Sequence, residues 1–291
     1  APAAQKPAEQ PKADAKKTVF KLPHGQNLDS AANKSLIKFA EEVREKTKGE
    51  IVIQIFPANQ LGNERDLAEG LTLGTIDMSW ISAGVMENFE PKIAIFSLPY
   101  IFRDYKHVHQ VTDGEAGKTI FDALYKGKNI RTLGFFDQGF RFMWNNVRPL
   151  TKLEDLKGLK MRSPESPVYM GTLKLLGTNP TPIPWGEVYT SMQTKVVDGL
   201  EVHPESAVTS KLYEVTKFGS ITRHIYAGSI FMINEAKWKA LSKEQQDIIA
   251  TAAKNAEKMN MDMIIKSEAE LIKVMESKGT KVNEIAEAEL Q

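Results

Sequence analysis

The 291-residue chain carries 38 Lys and Arg against 37 Asp and Glu, a formal net charge of +1, and no cysteine. Its 42% hydrophobic and 26% charged residues are those of a folded globular protein, which excludes general disorder and collagen-like or disulfide-stapled architectures. The charge balance leaves no basic surplus for nucleic acid, and the missing thiols exclude thiol catalysis, thiolate-bound zinc and iron–sulfur clusters.

A chain without cysteine suits an oxidising compartment, although many cytosolic chains lack it too. At about 100–200 residues per domain, the length fits two domains or one large one. The longest apolar run, Ile93 to Phe102, contains Ser97 and Pro99 and falls short of the roughly 18 residues that span a bilayer.

Residues Ala1 to Lys17 contain only Ala, Pro, Gln, Lys, Glu and Asp. Such a segment buries too little to offset its ordering entropy and reads as a semi-extended tether. Tethers of this kind follow a removed signal peptide or a lipidated residue in exported bacterial proteins; a linker to another domain has the same composition.

Folded sequence begins near Thr18. Thr18 to Leu22 and Glu50 to Phe56 read as strands, and Ile76 to Ile81 as a third. Between them, Leu36, Ile37, Ala40 and Val43 fall at helical spacing before Gly49, and Arg65 to Leu73 forms a helix closed by Gly74. This alternation predicts an α/β unit around a mainly parallel sheet.

A second such series starts near Asn129. Ile130 to Phe136 and Gly158 to Arg162 are strands, Val168 to Leu176 a helix, and Thr181 to Pro184 extended because its prolines bar a helix. Glu187 to Lys195 is a helix, and Val196 to Gly199 a short strand and turn. Ser242 with Gln245 forms a capping box that opens a helix running to about Lys278. A helix of that length without sustained heptads is suited to bracing two lobes.

Candidate chemistry is sparse. Gly114-Glu-Ala-Gly117-Lys118-Thr119 resembles a phosphate loop, but Thr112 stands where that motif needs glycine, so a helix start is the better reading. His107 and His109 form an H-x-H pair without an accompanying carboxylate cluster. No serine has a nucleophile-elbow setting, and no carboxylate spacing singles out an acid–base pair.

Arginines in unusual company say more. Arg141 lies among aromatics in Gly139-Phe-Arg141-Phe-Met-Trp-Asn, and Arg162 lies where a strand runs into Ser163-Pro-Glu-Ser-Pro. Strand ends of α/β sheets are ligand positions, and a guanidinium fork matches a carboxylate. A structural salt bridge explains either arginine as well.

At these residues the chain resembles the solute-binding proteins of tripartite ATP-independent periplasmic (TRAP) transporters, the DctP-type family. The resemblance runs through Gln60-Leu-Gly-Asn-Glu-Arg-Asp-Leu, Leu73-Gly-Thr-Ile-Asp-Met, Leu98-Pro-Tyr-Ile-Phe, Gly139-Phe-Arg141 and Asp155-Leu-Lys-Gly-Leu-Lys-Met-Arg162-Ser-Pro-Glu-Ser-Pro. It continues through Gly177-Thr-Asn-Pro-Thr-Pro-Ile-Pro, Glu187-Val-Tyr-Thr-Ser-Met-Gln and Val197-Asp-Gly-Leu-Glu201. Each segment is weak alone, and the ordered set is specific.

The resemblance implies a two-lobed clamshell of the type II-like periplasmic-binding-protein kind, crossed by a long C-terminal helix. Its expected division is a tether over 1–17, one lobe from 18–138 with about 227–262, and another from 139–226 with about 263–291. It implies a carboxylate ligand held mainly by Arg162, with Arg141 as a second ligand-proximal arginine and Glu64 and His24 facing hydroxyls. Glu201, His203, Trp185 and Trp80 complete the expected ligand-binding set, with Trp144 a further candidate for stacking on a sugar ring.

Gly-Asn-Glu-Arg-Asp-Leu and Trp185-Gly-Glu-Val-Tyr look most like members that take uronates or other sugar acids; a dicarboxylate or 2-keto acid is the alternative. Many members read Asp-Gly-x-Glu-Asn-Pro near residue 200, where that Asn touches the ligand carboxylate. Here the run is Asp198-Gly-Leu-Glu201-Val202-His203-Pro204. Val202 has no side-chain donor, so either His203 takes that place or the ligand is less polar at that end.

The expectation is therefore a periplasmic, monomeric receptor that needs no cofactor or metal and delivers an organic acid to the membrane subunits of a TRAP permease. The rivals are an organic-acid enzyme using His24 or Glu64 as base, and a receptor for an ABC transporter or sensor kinase.

Overall fold

The protein's computed structural model describes residues 17–285 and residue 289. The expected tether, apart from Lys17, lies outside the described residues.

Strand β1 (Thr18–Pro23) pairs in parallel with β2 (Ile51–Phe56), Phe20 opposite Ile53. Parallel neighbours require a crossover, supplied by α1 (Ala31–Lys46). The Ser30 side chain accepts the Asn33 N–H at 3.1 Å and starts that helix. Leu36, Phe39 and Val43 of α1 pack on Phe20, Leu22 and Ile51. Helix α2 (Glu64–Leu73) ends at Gly74, whose φ of 79° provides the left-handed stop. Strand β3 (Met78–Ser82) and α3 (Ala83–Met86) follow.

Helices α4 (Tyr105–Thr112) and α5 (Glu115–Lys128) come next. The phosphate-loop look-alike is indeed a helix start. A Cβ on Gly117 would sit 2.2 Å from the Thr112 carbonyl oxygen, so this glycine serves the tight α4–α5 turn. The chain then runs through β4 (Ile130–Phe140), β5 (Phe142–Asn145), β6 (Lys160–Ser163), α6 (Pro167–Leu175), β7 (Asn179–Pro182) and α7 (Val188–Gln193). After it come β8 (Gly199–Val202), α8 (Pro204–Thr209), β9 (Phe218–Ile221), β10 (Tyr226–Asn234) and α9 (Glu235–Lys239). The described chain closes with α10 (Lys243–Ser277) and β11 (Lys281–Glu284).

Two lobes result. The first joins β2-β1 to β3-β10-β4 through a bridge between His24 and Trp80. The second is a six-stranded sheet of order β11-β9-β5-β8-β6-β7. In the first lobe only β10 is antiparallel to its neighbours, and in the second only β5. Both reversed strands have just arrived from the other lobe, β5 directly after β4 and β10 directly after β9. All remaining strands point their carboxyl ends at the gap between the lobes, which is where α/β sheets place ligands.

Helix α10 runs along both lobes. Ile249, Ala252, Ala253 and Ala256 lie in the first-lobe core, while Met275 joins a cluster containing Leu212 and Val215. One expected strand is displaced: Val196 is exposed, Lys195 turns through a positive φ, and the strand begins only at Gly199.

Candidate ligand-binding site

A cavity lies where the strand ends of the two lobes meet. Glu64 and Ser82 line it from the first lobe, and Arg162, Trp185 and His203 from the second. Gln138 and Arg141 enter where β4 leaves the first lobe.

Arg162 is the third residue of β6 and only 3% exposed. Its Nε donates to the Ile183 carbonyl at 2.9 Å, and its guanidinium lies 5.5 Å from the centre of the Trp185 ring. Among the described residues no carboxylate comes within ion-pair distance of it. Burial, reinforced by the neighbouring charge of Arg141, lowers its pKa to about 10. It therefore remains cationic at neutral pH. A buried cation without a protein counter-ion favours an anionic ligand, because the cost of burying its charge is otherwise uncompensated.

Arg141 is already paired. Its Nη2 donates to Glu201 Oε1 at 2.9 Å and to the Glu201 carbonyl at 2.5 Å, and its Nε donates to Glu201 Oε2. Burial alone would lower its pKa, but the fully buried Glu201 carboxylate more than offsets that and holds it above the ordinary value. Glu201 thus lies behind the cavity wall and fixes Arg141. His224, with Nε2 at 3.9 Å from Glu201 Oε2, backs the same pair and is kept neutral by burial, its pKa lowered to about 3.

The rest of the lining is built of hydrogen-bonding groups. Glu64 accepts from the Ser82 N–H at 2.7 Å and the Ser82 hydroxyl at 2.8 Å. Burial raises its pKa, which the two Ser82 bonds and both arginines partly offset. His203 caps α8, with Nδ1 accepting the Ser206 N–H at 3.4 Å, and burial followed by the Arg141 charge keeps it neutral. Ser206 Oγ donates to Gln26 Oε1 at 3.1 Å, which links the two lobes.

Of the residues expected at the ligand, Arg162, Arg141, Glu64, Trp185 and His203 come together at the cavity. His24 stands one layer back, with Nδ1 accepting the Gln26 N–H at 3.2 Å and Nε2 lying 3.2 Å from Asn33 Oδ1. It positions Gln26, and burial lowers its pKa to about 4. Trp80 is a correction: it is fully buried in the first-lobe core with Phe20, Met78 and Phe231. Trp144 is also core, its Nε1 donating to the Val202 carbonyl at 2.9 Å.

The polar cavity residues that sequence reasoning missed are Gln26, Ser82, Gln138, Tyr169 and Ser206. Three of them had a usable signal, since Gln26 and Ser82 stand at or shortly past the end of a strand, and Gln138 just past the strand read over Ile130 to Phe136. The H-x-H pair separates, with His109 Nε2 at 3.0 Å from Asp137 Oδ2 and His107 Nδ1 accepting the Arg103 N–H. Among the described residues no His, Asp and Glu cluster has the makings of a metal site.

The sequence model of the family described as "Bacterial extracellular solute-binding protein, family 7" (DctP) matches residues 24–291. The chain belongs to that family. This family 7 protein is 35% identical over 246 residues to the 2,3-diketo-L-gulonate-binding periplasmic protein YiaO of Escherichia coli, which covers 84% of this chain and 74% of that one. It is 37% identical over 227 residues to the C4-dicarboxylate-binding periplasmic protein DctP of Rhodobacter capsulatus, covering 77% and 67%. Its fold matches a TRAP periplasmic solute-binding protein of Roseobacter denitrificans with bound L-galactonate at a TM-score of 0.92 and 32% identity, over 96% of this chain and 92% of that one. The family 7 fold is thus that of a two-lobed TRAP solute receptor for acid ligands, and the family consists of binding proteins rather than enzymes.

Proposed function

We propose that this protein captures a sugar acid, a uronate or aldonate, between its lobes in the periplasm and delivers it as a monomer to the membrane subunits of a TRAP permease. The observation that carries this reading is the unpaired, buried Arg162 facing a wall of hydroxyl-compatible groups. Arg162 takes the carboxylate, Trp185 packs against the ring or chain, and Glu64, Gln26 and His203 address hydroxyls.

A dicarboxylate, as the relative from Rhodobacter capsulatus binds, fits less well. Its second carboxylate would meet Glu64, and the cavity's other guanidinium is engaged by Glu201. A charge-assisted hydrogen bond contributes about 1.5–3 kcal/mol, so two or three supply about 3–9 kcal/mol before ordering costs. Reaching the roughly −8 kcal/mol of a micromolar ligand also takes the hydroxyl bonds and packing on Trp185. The lobes divide at 139–141 and 222–225, with α10 crossing near 262, and these crossings act as the hinge of closure. Residues before Thr18 act as the tether of an exported protein.

Thermal shift and calorimetry with D-galacturonate, D-glucuronate, L-galactonate, succinate and a 2-keto acid test the reading. A rise in melting temperature with a sugar acid, and a smaller one with succinate, is expected. The reverse order would replace the sugar acid with a dicarboxylate. Conversion of any of these acids on incubation would replace the receptor with an enzyme.

A further inference from the structure

Strand β4 is irregular at the cavity. Opposite it on β10, Ala227 faces Gly139 and Gly228 faces Asp137, so Gln138 has no partner residue. This is a β-bulge, a device that re-aims a side chain beside a binding site. Gly139 permits it, with a φ of 100° and little room for a side chain: a Cβ there would lie 3.1 Å from the Tyr105 hydroxyl, a contact that the tyrosine would have to yield to.

The residue before the bulge is locked. Asp137 is 1% exposed, lies 3.1 and 3.0 Å from His109 Nε2 through its two oxygens, and accepts from the Tyr226 hydroxyl. With Asp137 held by those two groups and Gly139 turned through positive φ, Gln138 is directed into the cavity.

Gln138 is 7% exposed, and its amide has no hydrogen-bond partner among the described residues. Its neighbours differ. Gln26 is bound to Ser206, Glu64 to Ser82 and Arg141 to Glu201. The outer nitrogens of Arg162, the Tyr169 hydroxyl and the Gln138 amide remain free among the described cavity residues, as do Gln26 Nε2, Arg141 Nη1 and the Trp185 indole N–H. Among them Gln138 is the one amide with both its donors and its acceptor unused. A nearly buried amide with both donors and its acceptor unused is matched by a ligand group that donates and accepts, which is what a hydroxyl does.

Resting on the sugar-acid reading, we infer that Gln138 is a specificity-determining residue that reads a hydroxyl of the bound acid, and that the β4 bulge, locked through His109, Asp137 and Tyr226, positions it. Arg162 then selects for the acid, and Gln138 selects for hydroxylation.

The test is calorimetry of D-galacturonate and L-galactonate with the wild-type protein, Gln138→Leu and Gln138→Glu. A site built around a hydroxyl loses heavily when its polar partner is removed. Gln138→Leu is expected to weaken the better ligand by about tenfold or more, with the melting temperature of the ligand-free protein unchanged. Gln138→Glu keeps the volume, covers the case in which Leu disturbs folding, and is expected to weaken binding at least as much. Sugar-acid binding by the wild type with both variants within threefold of it would overturn the assignment of Gln138 alone. If the wild type binds neither acid nor D-glucuronate, the sugar-acid reading falls and this assignment with it.

Discussion

The Glu87 carboxylate, just past α3 in the first lobe, accepts the Ser166 hydroxyl at 2.5 Å and the Val168 N–H at 3.1 Å, at the N-terminus of α6 in the second lobe. A second contact runs the other way. Glu205 in the first turn of α8 accepts the N–H of Ala31 at 2.8 Å, at the start of α1 in the first lobe. Each lobe thus lends a carboxylate to a helix N-terminus of the other, where unpaired N–H groups and the helix dipole favour negative charge.

These contacts exist only while the lobes are together, so they stabilise closure without touching the ligand. Glu87→Ala is expected to weaken ligand affinity by about three- to tenfold, the equivalent of one such hydrogen bond, chiefly through faster dissociation. Stopped-flow dissociation rates with Glu87→Ala check this, and an unchanged rate would count against a latch.

The Glu205 contact makes closure and stability depend on pH. Burial raises the Glu205 pKa from 4.5 to about 7, assisted by Asp29 and opposed by the Ala31 bond and by Lys34. An acid with a raised pKa takes up a proton on folding, so its contribution is fully present below about pH 4.5 and is lost as pH rises through about 7. Glu205→Gln is therefore expected to gain melting temperature relative to wild type at pH 8 and not at pH 5. The buried histidines act oppositely. Burial lowers His24 to about 4 and His224 to about 3, so their contribution is present above pH 6.5 and lost as pH falls. Melting curves of both proteins between pH 4 and 8 separate the two effects.

Arg162→Ala is expected to abolish measurable binding of the cognate acid while leaving the fold intact. Arg162→Lys is expected to fail nearly as badly, because an ammonium reproduces neither the Ile183 bond geometry nor the guanidinium's position over the Trp185 ring. Calorimetry with circular dichroism checks both, and near-wild-type affinity in Arg162→Ala would remove the centre of the proposed site.

The tryptophans provide a contrast. Trp80→Ala empties a fully buried core position and is expected to cost about 3–5 kcal/mol of stability. Trp185→Ala is expected to leave denaturant stability within about 1 kcal/mol, because that ring is only partly buried, and to weaken the acid by about tenfold. Ligand-induced fluorescence change should vanish in Trp185→Phe. Its persistence there would show that the ring lies outside the bound complex.

Features with local causes were legible in the chain. Ser242 and Gln245 place the start of α10 because a capping box is satisfied within one turn, and Gly74 places the end of α2 for a similar reason. Strands β9, β10 and β11 were not read. β10 is buried at all nine residues and shows no polar alternation, while β9 and β11 have four residues each. The site was half legible: arginine at a strand end marked Arg162 and Arg141, but both had the same signature.

By itself the sequence determined the two-lobed α/β pattern, the long bracing helix and the residue types able to hold an acid, since these follow from periodicity, caps and side-chain chemistry. Tertiary structure alone decided that Arg141 is paired with Glu201 while Arg162 lines the cavity without a counter-ion among the described residues, that Trp185 faces the cavity while Trp80 fills the core, and that β4 bulges at Gln138. Whether a buried charge is available depends on which distant side chains arrive within about 4 Å of it. That is a property of the packed chain and not of any segment. The nearly neutral total of 38 against 37 charges is therefore compatible with the proposed selection of an anion, which needs one uncompensated guanidinium in the cleft and no surplus in the total.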